Sequence, residues 1–196
     1  MAVNVARRRR TGAETKIAIL AAAADSFRDS GFERSRLEDI ADRVGISRAA
    51  VLHHFDTKTA VLIDLVRPFI GELDELLDDA QANAPMSRRQ RKTFIGAFVA
   101  LLCEHRVVSA LLIRDITAQN QLGPNYQMAD RTARFIDVVT TTDKAGSSIQ
   151  ALAALGAILR PINSPHNLID LDDPANRQFL VECAMAVFRL PPPSST

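Results

Sequence analysis

The chain has 196 residues, of which 47% are hydrophobic and 24% are charged, a mixture typical of globular proteins that bury a core. Its 24 Lys and Arg nearly balance 23 Asp and Glu, so bulk charge does not indicate a nucleic-acid partner. Two cysteines exclude a disulfide-rich secreted scaffold, and no apolar run reaches the roughly 18 residues of a membrane helix. We therefore expect a cytoplasmic protein without a membrane span.

Helical periodicity predominates along the chain and strand-like alternation is scarce, which predicts an all-α fold. A first helix ends at Gly31, because glycine takes the left-handed conformation of a helix end at little cost. A short helix follows Ser35 and stops at Gly45, and Ser47 caps another one that ends near Phe55. The apolar face of the first helix is predicted to contain Ile17, Leu20, Ala21, Ala24 and Phe27.

A longer helix is predicted after Thr57, and its apolar stripe fades into the acidic stretch 72–79. The polar and proline-containing stretch 83–85 then marks a domain boundary. The predicted organisation is a flexible basic arm over 1–13, a helix-turn-helix domain over 14–65 with a linking helix to about 83, a second helical domain over 86–190, and a disordered tail over 191–196. Helices of the second domain are predicted near 87–103, 107–121, 125–142, 146–159 and 174–189.

The segment 37–55 has the pattern of a helix-turn-helix. Gly45 permits the positive φ of a tight turn, and Ala41 is small where the two helices approach each other. Ile40 and Val51 are apolar where the helices share a core. Two short helices around a glycine also occur in all-α proteins that never bind DNA, so this pattern by itself leaves both interpretations open.

The residues around this segment resemble the TetR family of transcriptional regulators over about 14–65. The family pattern combines a glycine–aromatic pair, a Ser/Thr cap, an acidic-Ile-Ala core, a glycine turn and a lysine beyond an aromatic pair. The matching residues are Gly31-Phe32, Ser35, Asp39-Ile40-Ala41, Gly45-Ile46-Ser47, His54-Phe55 and Lys58. Leu52 departs from the pattern, because the family usually has a phosphate-binding tyrosine there.

The resemblance implies an N-terminal three-helix DNA-binding domain that acts as a homodimer on a double-stranded operator. The expected DNA-binding residues are Ser35, Arg36, Ser47, Arg48, Ala49, Ala50, His53, His54 and Lys58. Arg48 would read guanine O6 and N7, the alanines would meet thymine methyl groups, and the other residues would mainly contact phosphates. The run 7–10 would enter the minor groove or stay solvated.

The resemblance also implies that the second domain encloses a ligand cavity and carries the dimer interface. The expected ligand-binding residues are Phe94, Phe98, Leu102, Leu111, Arg114, Tyr126, Met128 and Phe135, with Asp115 and Arg131 as further polar candidates. The apolar ones can equally be ordinary core. Small residues in 148–159 suit an intersubunit four-helix bundle. The expected dimer-interface residues are Leu152, Leu155, Gly156, Leu159, Phe179, Cys183 and Val187.

No metal-ligand spacing, phosphate-cradling loop or nucleophile elbow is evident, so we expect neither an enzyme nor a cofactor. The leading interpretation is a repressor that a small apolar or amphipathic ligand releases from a palindromic operator. One alternative is a DNA-binding activator or a ligand-independent repressor. The third interpretation is an all-helical ligand-binding protein with a vestigial helix-turn-helix, which the presence of Leu52 supports.

Overall fold

The computed structural model describes residues 10–140, 145–164 and 169–190. Within these ranges the chain is helical, and no strand occurs, which confirms the predicted all-α class. The α-helices are α1 (Gly12–Ser30), α2 (Leu37–Val44), α3 (Arg48–His54), α4 (Lys58–Ala82), α5 (Arg88–Glu104), α6 (Arg106–Arg114), α7 (Ile116–Gln121), α8 (Met128–Val139), α9 (Ala145–Ile162) and α10 (Pro174–Val187). A 3-10 turn spans Pro124–Tyr126.

The chain divides into two compact units, and the boundary lies inside α4, between Leu65 and Val66. The domain boundary predicted at 83–85 lies at the end of α4, whereas the second unit begins inside this helix. Leu73 and Leu77 are 2% and 0% exposed, so this part of the helix contributes to the core of the second unit. Burial of such side chains stabilises a fold by about 1.5–3 kcal/mol each, which a solvated linker would forgo.

The start of α1 is more ordered than the predicted arm over 1–13. Thr11 is its N-cap: Thr11 Oγ1 accepts from the Glu14 amide at 3.2 Å, and Glu14 Oε2 accepts from the Thr11 amide at 2.7 Å. Arg10 Nη1 donates to the Val44 carbonyl at 3.2 Å. The prediction is therefore wrong for residues 10–13. The other arginines of the predicted arm, and the tail predicted over 191–196, lie outside the described residues.

The buried face of α1 differs from the predicted one. Ile17 is 68% exposed, whereas Ile19 and Ala23 are fully buried, and Phe27 is the one residue common to both faces. Every position from 17 to 24 is apolar, so the sequence periodicity fits more than one phase of the helix. Packing against α2 selects the phase.

The second unit packs α10 against α5 and α9, and α8 against α9. The helix predicted over 107–121 breaks at Asp115, whose Oδ1 accepts from the Ala118 amide at 2.9 Å and so caps α7. Among the described helices, none alone has the length and apolar character of a membrane span. The α5–α6 pair passes that test only when joined across its 91° bend.

Candidate functional site

Two short helices and a tight turn form the centre of the first unit. Gly45 ends α2 in the left-handed conformation (φ 76°, ψ 40°), and its amide donates to the Ala41 carbonyl at 2.9 Å. Ser47 then caps α3, since its hydroxyl accepts from the Ala50 amide at 3.1 Å. Val51 is fully buried and anchors α3 to this unit. The arrangement is a helix-turn-helix, built by local residues that each satisfy one requirement of the turn.

Much of the surface of α3 away from Val51 is open to solvent. Arg48, Ala49 and His53 are exposed on it. Arg48 Nε lies 2.7 Å from Glu38 Oε1, and both side chains are more than half exposed. An exposed ion pair of this kind contributes about 0–1 kcal/mol, so a base edge can recruit Arg48 at little cost.

Ser35 corrects one of the predicted DNA contacts. It is 2% exposed, and its Oγ lies 2.8 Å from the Gly31 carbonyl oxygen and 3.0 Å from that of Ser26. Ser26 Oγ also donates to it at 3.0 Å. A phosphate cannot reach this hydroxyl, so the predicted phosphate contact of the Ser35 side chain is wrong. Its role is to fasten the end of α1 to the start of α2.

Lys58, at the start of α4, has a structural role that sequence reasoning missed. Its ammonium donates to the carbonyls of Phe32, Glu33 and Ser35 at 2.6, 3.0 and 2.9 Å. Nζ also lies 4.3 Å from the centre of the Phe32 ring. Three bonds engage all three N–H donors of a lysine. A phosphate contact by Lys58 stays a prediction, and it requires the release of at least one of these bonds.

The other predicted DNA-binding residues occupy the surface around α3 to different degrees. Arg36 and Ser47 are exposed, whereas Ala50 and His54 are half-buried. The rings of His53 and His54 meet edge to face, with centroids 5.4 Å apart. The first unit thus gathers Arg48, Ala49 and His53 on α3 with Ser47 at its N-cap, and their contacts with DNA stay predictions.

The second unit contains a cavity of about 220 Å³. α4 contributes Phe69, Leu73 and Leu77 to its wall. The remaining lining residues are Phe98, Leu102, Ser109, Leu112, Ile113, Gln119, Met128, Arg131, Thr132, Phe135, Leu155 and Leu159. Four of the predicted ligand-binding residues are therefore in this wall: Phe98, Leu102, Met128 and Phe135.

The structure does not bring the other four predicted ligand-binding residues to this cavity. Phe94 packs 5.6 Å from Phe135, centroid to centroid, but lines a separate open groove. Leu111 is buried elsewhere, and the adjacent residue of α6, Leu112, takes the expected place in the wall. Arg114 is exposed on the surface, and Tyr126 lies in the 3-10 turn outside the lining. The phase of α6 explains the error at position 111.

Arg131 provides the charged part of the cavity wall. Its side chain is 9% exposed. Its Nη atoms donate to Asp74 Oδ2 at 2.5 Å and to the carbonyls of Gln127 and Asn125 at 3.0 and 3.1 Å, whereas Nε is buried without a partner. Arg134 Nη1 donates to the second oxygen of Asp74 at 3.0 Å. This network ties α8 to α4 beside the cavity.

The predicted dimer-interface residues fall into two groups on α9 and α10. Those that are exposed or half-buried at the surface are Leu152, Gly156, Phe179, Cys183 and Val187. Leu155 and Leu159 instead line the cavity, and Leu155 is only 8% exposed, so its predicted place in a dimer interface is wrong. Ile149, which was not predicted, is 58% exposed one helical turn before Leu152.

Comparison with known proteins gives concordant results. Residues 19–65 match the family model described as bacterial regulatory proteins, tetR family. The transcriptional activator FasR of Mycolicibacterium smegmatis is 21% identical over 84% of this chain and 76% of its own length. The repressor KstR2 of the same organism is 30% identical over 50% of this chain and 47% of its own length.

Solved structures share the fold across both units. Mycobacterium smegmatis AmtR has a TM-score of 0.70 and 22% identity, over 94% of this chain and 89% of its own. A TetR-like regulator from Rhodococcus sp. RHA1 has a TM-score of 0.68 and 21% identity, over 92% of this chain and 99% of its own.

The exposed recognition helix and the separate cavity-bearing unit define a helix-turn-helix DNA-binding regulator with a second, helical domain. Residues 19–65 form a DNA-binding domain of the tetR family, and the chain is similar to TetR-family transcriptional regulators over most of its length. Its named relatives include both a repressor and an activator.

Proposed function

We propose that the protein is a cytoplasmic homodimeric repressor that leaves a palindromic operator when a small apolar or amphipathic molecule fills the cavity. The observation that carries the proposal is the continuity of α4. At its first residue, Lys58 holds three carbonyls of the DNA-binding unit, and further along Phe69, Leu73 and Leu77 form the cavity wall. α4 therefore contributes its first residues to the DNA-binding unit and its later ones to the cavity-bearing unit.

A ligand shifts a conformational equilibrium only by the difference in its affinity for the two states. In this protein the difference would arise at α4, because a molecule in the cavity touches three of its apolar side chains. The Asp74 carboxylate, which pairs with Arg131 and Arg134, adds a polar connection from α8 to the same helix. We therefore expect ligand binding and DNA binding to be coupled with opposite sign.

Exposed apolar side chains on α9 and α10 support the dimer. Ile149, Leu152 and Phe179 are 58%, 49% and 67% exposed. Large apolar side chains grouped on neighbouring helices indicate an interaction surface, and a second copy of the chain is the expected occupant. A twofold dimer presents two copies of α3, which suits two half-sites of a palindrome.

The first test is selection of binding sites from random duplex DNA, with the wild-type protein and with Arg48→Ala. We expect an enriched palindrome, and relaxed preference at one base pair of each half-site in the variant. Arg43→Ala is the matched control, because Arg43 also pairs with an exposed carboxylate, that of Asp29 at 2.9 Å, but lies at the far end of α2. Failure of wild-type protein to enrich any sequence would refute the proposed operator binding.

An activator is the second candidate, because one relative carries that name. Titration of the protein–operator complex with a cavity ligand, followed by fluorescence anisotropy, separates the two candidates. Release of DNA supports the repressor, and tighter binding supports the activator. An unchanged affinity with a filled cavity would favour a ligand-independent regulator.

A further inference from the structure

The polar groups in the cavity wall restrict the chemistry of its ligand. α7 contributes Gln119, and α8 contributes Thr132 next to Arg131. Within the described part of the chain, the Gln119 and Thr132 side chains form no hydrogen bond. The Arg131 Nε–H is buried and has no acceptor. A buried donor without a partner is costly, and a ligand oxygen placed in the cavity would relieve that cost.

The charge of the wall is already balanced. Arg131 is the one charged residue in the cavity lining, and the Asp74 carboxylate pairs with it directly. Arg134 pairs with both Asp74 and Asp78, so two arginines face two carboxylates. A carboxylate ligand would be a further negative charge in a largely apolar enclosure whose lining residues include no second cation to balance it, which is strongly unfavourable. The wall therefore favours an uncharged hydrogen-bonding group.

The volume of the cavity restricts the size of its ligand. A cavity of about 150 Å³ accommodates benzene, so by proportion a cavity of about 220 Å³ holds roughly nine non-hydrogen atoms. Phe69, Phe98 and Phe135 provide apolar surface for most of such a molecule.

We propose that this cavity binds a compact, uncharged and mostly apolar molecule with a single hydrogen-bonding oxygen, such as a ketone, an alcohol or a lactone. The oxygen is held by the polar edge formed by Gln119, Arg131 and Thr132. The inference rests on the proposed function in one respect: the cavity is taken to be the effector site.

The test uses three probes of nearly the same shape: acetophenone, isopropylbenzene and benzoate. Isothermal titration calorimetry measures their affinities for the full chain and for the near-isosteric double variant Gln119→Leu/Thr132→Val. Asn120→Leu is the control, because Asn120 is exposed beside Gln119 and does not line the cavity. Circular dichroism confirms that each variant is folded.

We expect acetophenone to bind the wild-type protein at least about tenfold more tightly than benzoate. The double variant should weaken acetophenone by about tenfold, as expected for the loss of a hydrogen bond, and leave isopropylbenzene unchanged or slightly tighter. The control should change neither. Tighter binding of benzoate, equal losses for acetophenone and isopropylbenzene, or no binding of any probe would overturn the assignment.

The same acetophenone titration on the protein–operator complex distinguishes the two levels of the argument. Binding that follows the expected pattern without any effect on DNA affinity would overturn the effector role and leave the ligand class intact. Displacement of DNA by benzoate, with no effect of acetophenone, would support the effector role and overturn the ligand class.

Discussion

The replacement Lys58→Met tests whether the ammonium of Lys58 mainly stabilises the DNA-binding unit or mainly binds phosphate. Methionine keeps most of the apolar stem and removes the charge with its three hydrogen bonds to Phe32, Glu33 and Ser35. At about 1 kcal/mol net for each bond, and about 0.5–1 kcal/mol for the contact with the Phe32 ring, the free energy of unfolding should fall by about 3–4 kcal/mol.

Urea denaturation followed by far-ultraviolet circular dichroism measures this loss. Hydrogen exchange should localise it to the amides between Gly31 and Leu37. Lys16→Met is the matched control in the same unit: Lys16 is 46% exposed and pairs with Asp64 at 2.7 Å, so its replacement should cost less than about 1 kcal/mol.

Operator binding as a function of salt provides the decisive contrast. If Lys58 served chiefly as a phosphate ligand, Lys58→Met would reduce the slope of log affinity against log salt by about one and leave stability within about 0.5 kcal/mol of wild type. That result would refute the capping argument.

Three further predictions concern the backbone, a buried charge and a thiol. Gly31→Ala should destabilise by about 2–3 kcal/mol and Gly45→Ala by about 1 kcal/mol, both measured by urea denaturation. The reason is that Gly31 (φ 79°, ψ 162°) occupies a region of backbone conformation essentially restricted to glycine, whereas Gly45 has the left-handed conformation, which other residues adopt at lower cost. Equal losses of unfolding free energy in the two variants would contradict this reasoning. Arg91→Met should raise the melting temperature, because Arg91 is 5% exposed, its Nε and Nη2 atoms are unpaired, and burial lowers its pKa. Methionine at this position keeps apolar contact with the Phe188 ring. A lower melting temperature would contradict the prediction. Burial raises the pKa of the Cys103 thiol. At pH 7.5 this thiol should therefore be alkylated several-fold more slowly in the folded protein than in the urea-unfolded chain, as measured by mass spectrometry. Equal rates of alkylation would contradict the prediction.

The local sequence was sufficient to predict the helix-turn-helix. Gly45 is the residue that a left-handed helix end needs, Ser47 is a capping residue, and Ile40 and Val51 are apolar at the positions that become fully buried. Each of these requirements is met by residues a few positions apart, so the chain order alone reveals them. The second half of the chain was predicted less completely, because its apolar helices have few such local signals.

Only the tertiary structure decided which face of an apolar helix is buried and which polar groups meet across long separations. The residues of α1 from Ile17 to Ala24 fit several helical phases, and contact with α2 selected one of them. Lys58 finds its carbonyl partners more than twenty residues earlier, and Arg131 finds Asp74 57 residues away. Such pairs depend on how helices pack, because side chains far apart in sequence leave no periodic pattern to read.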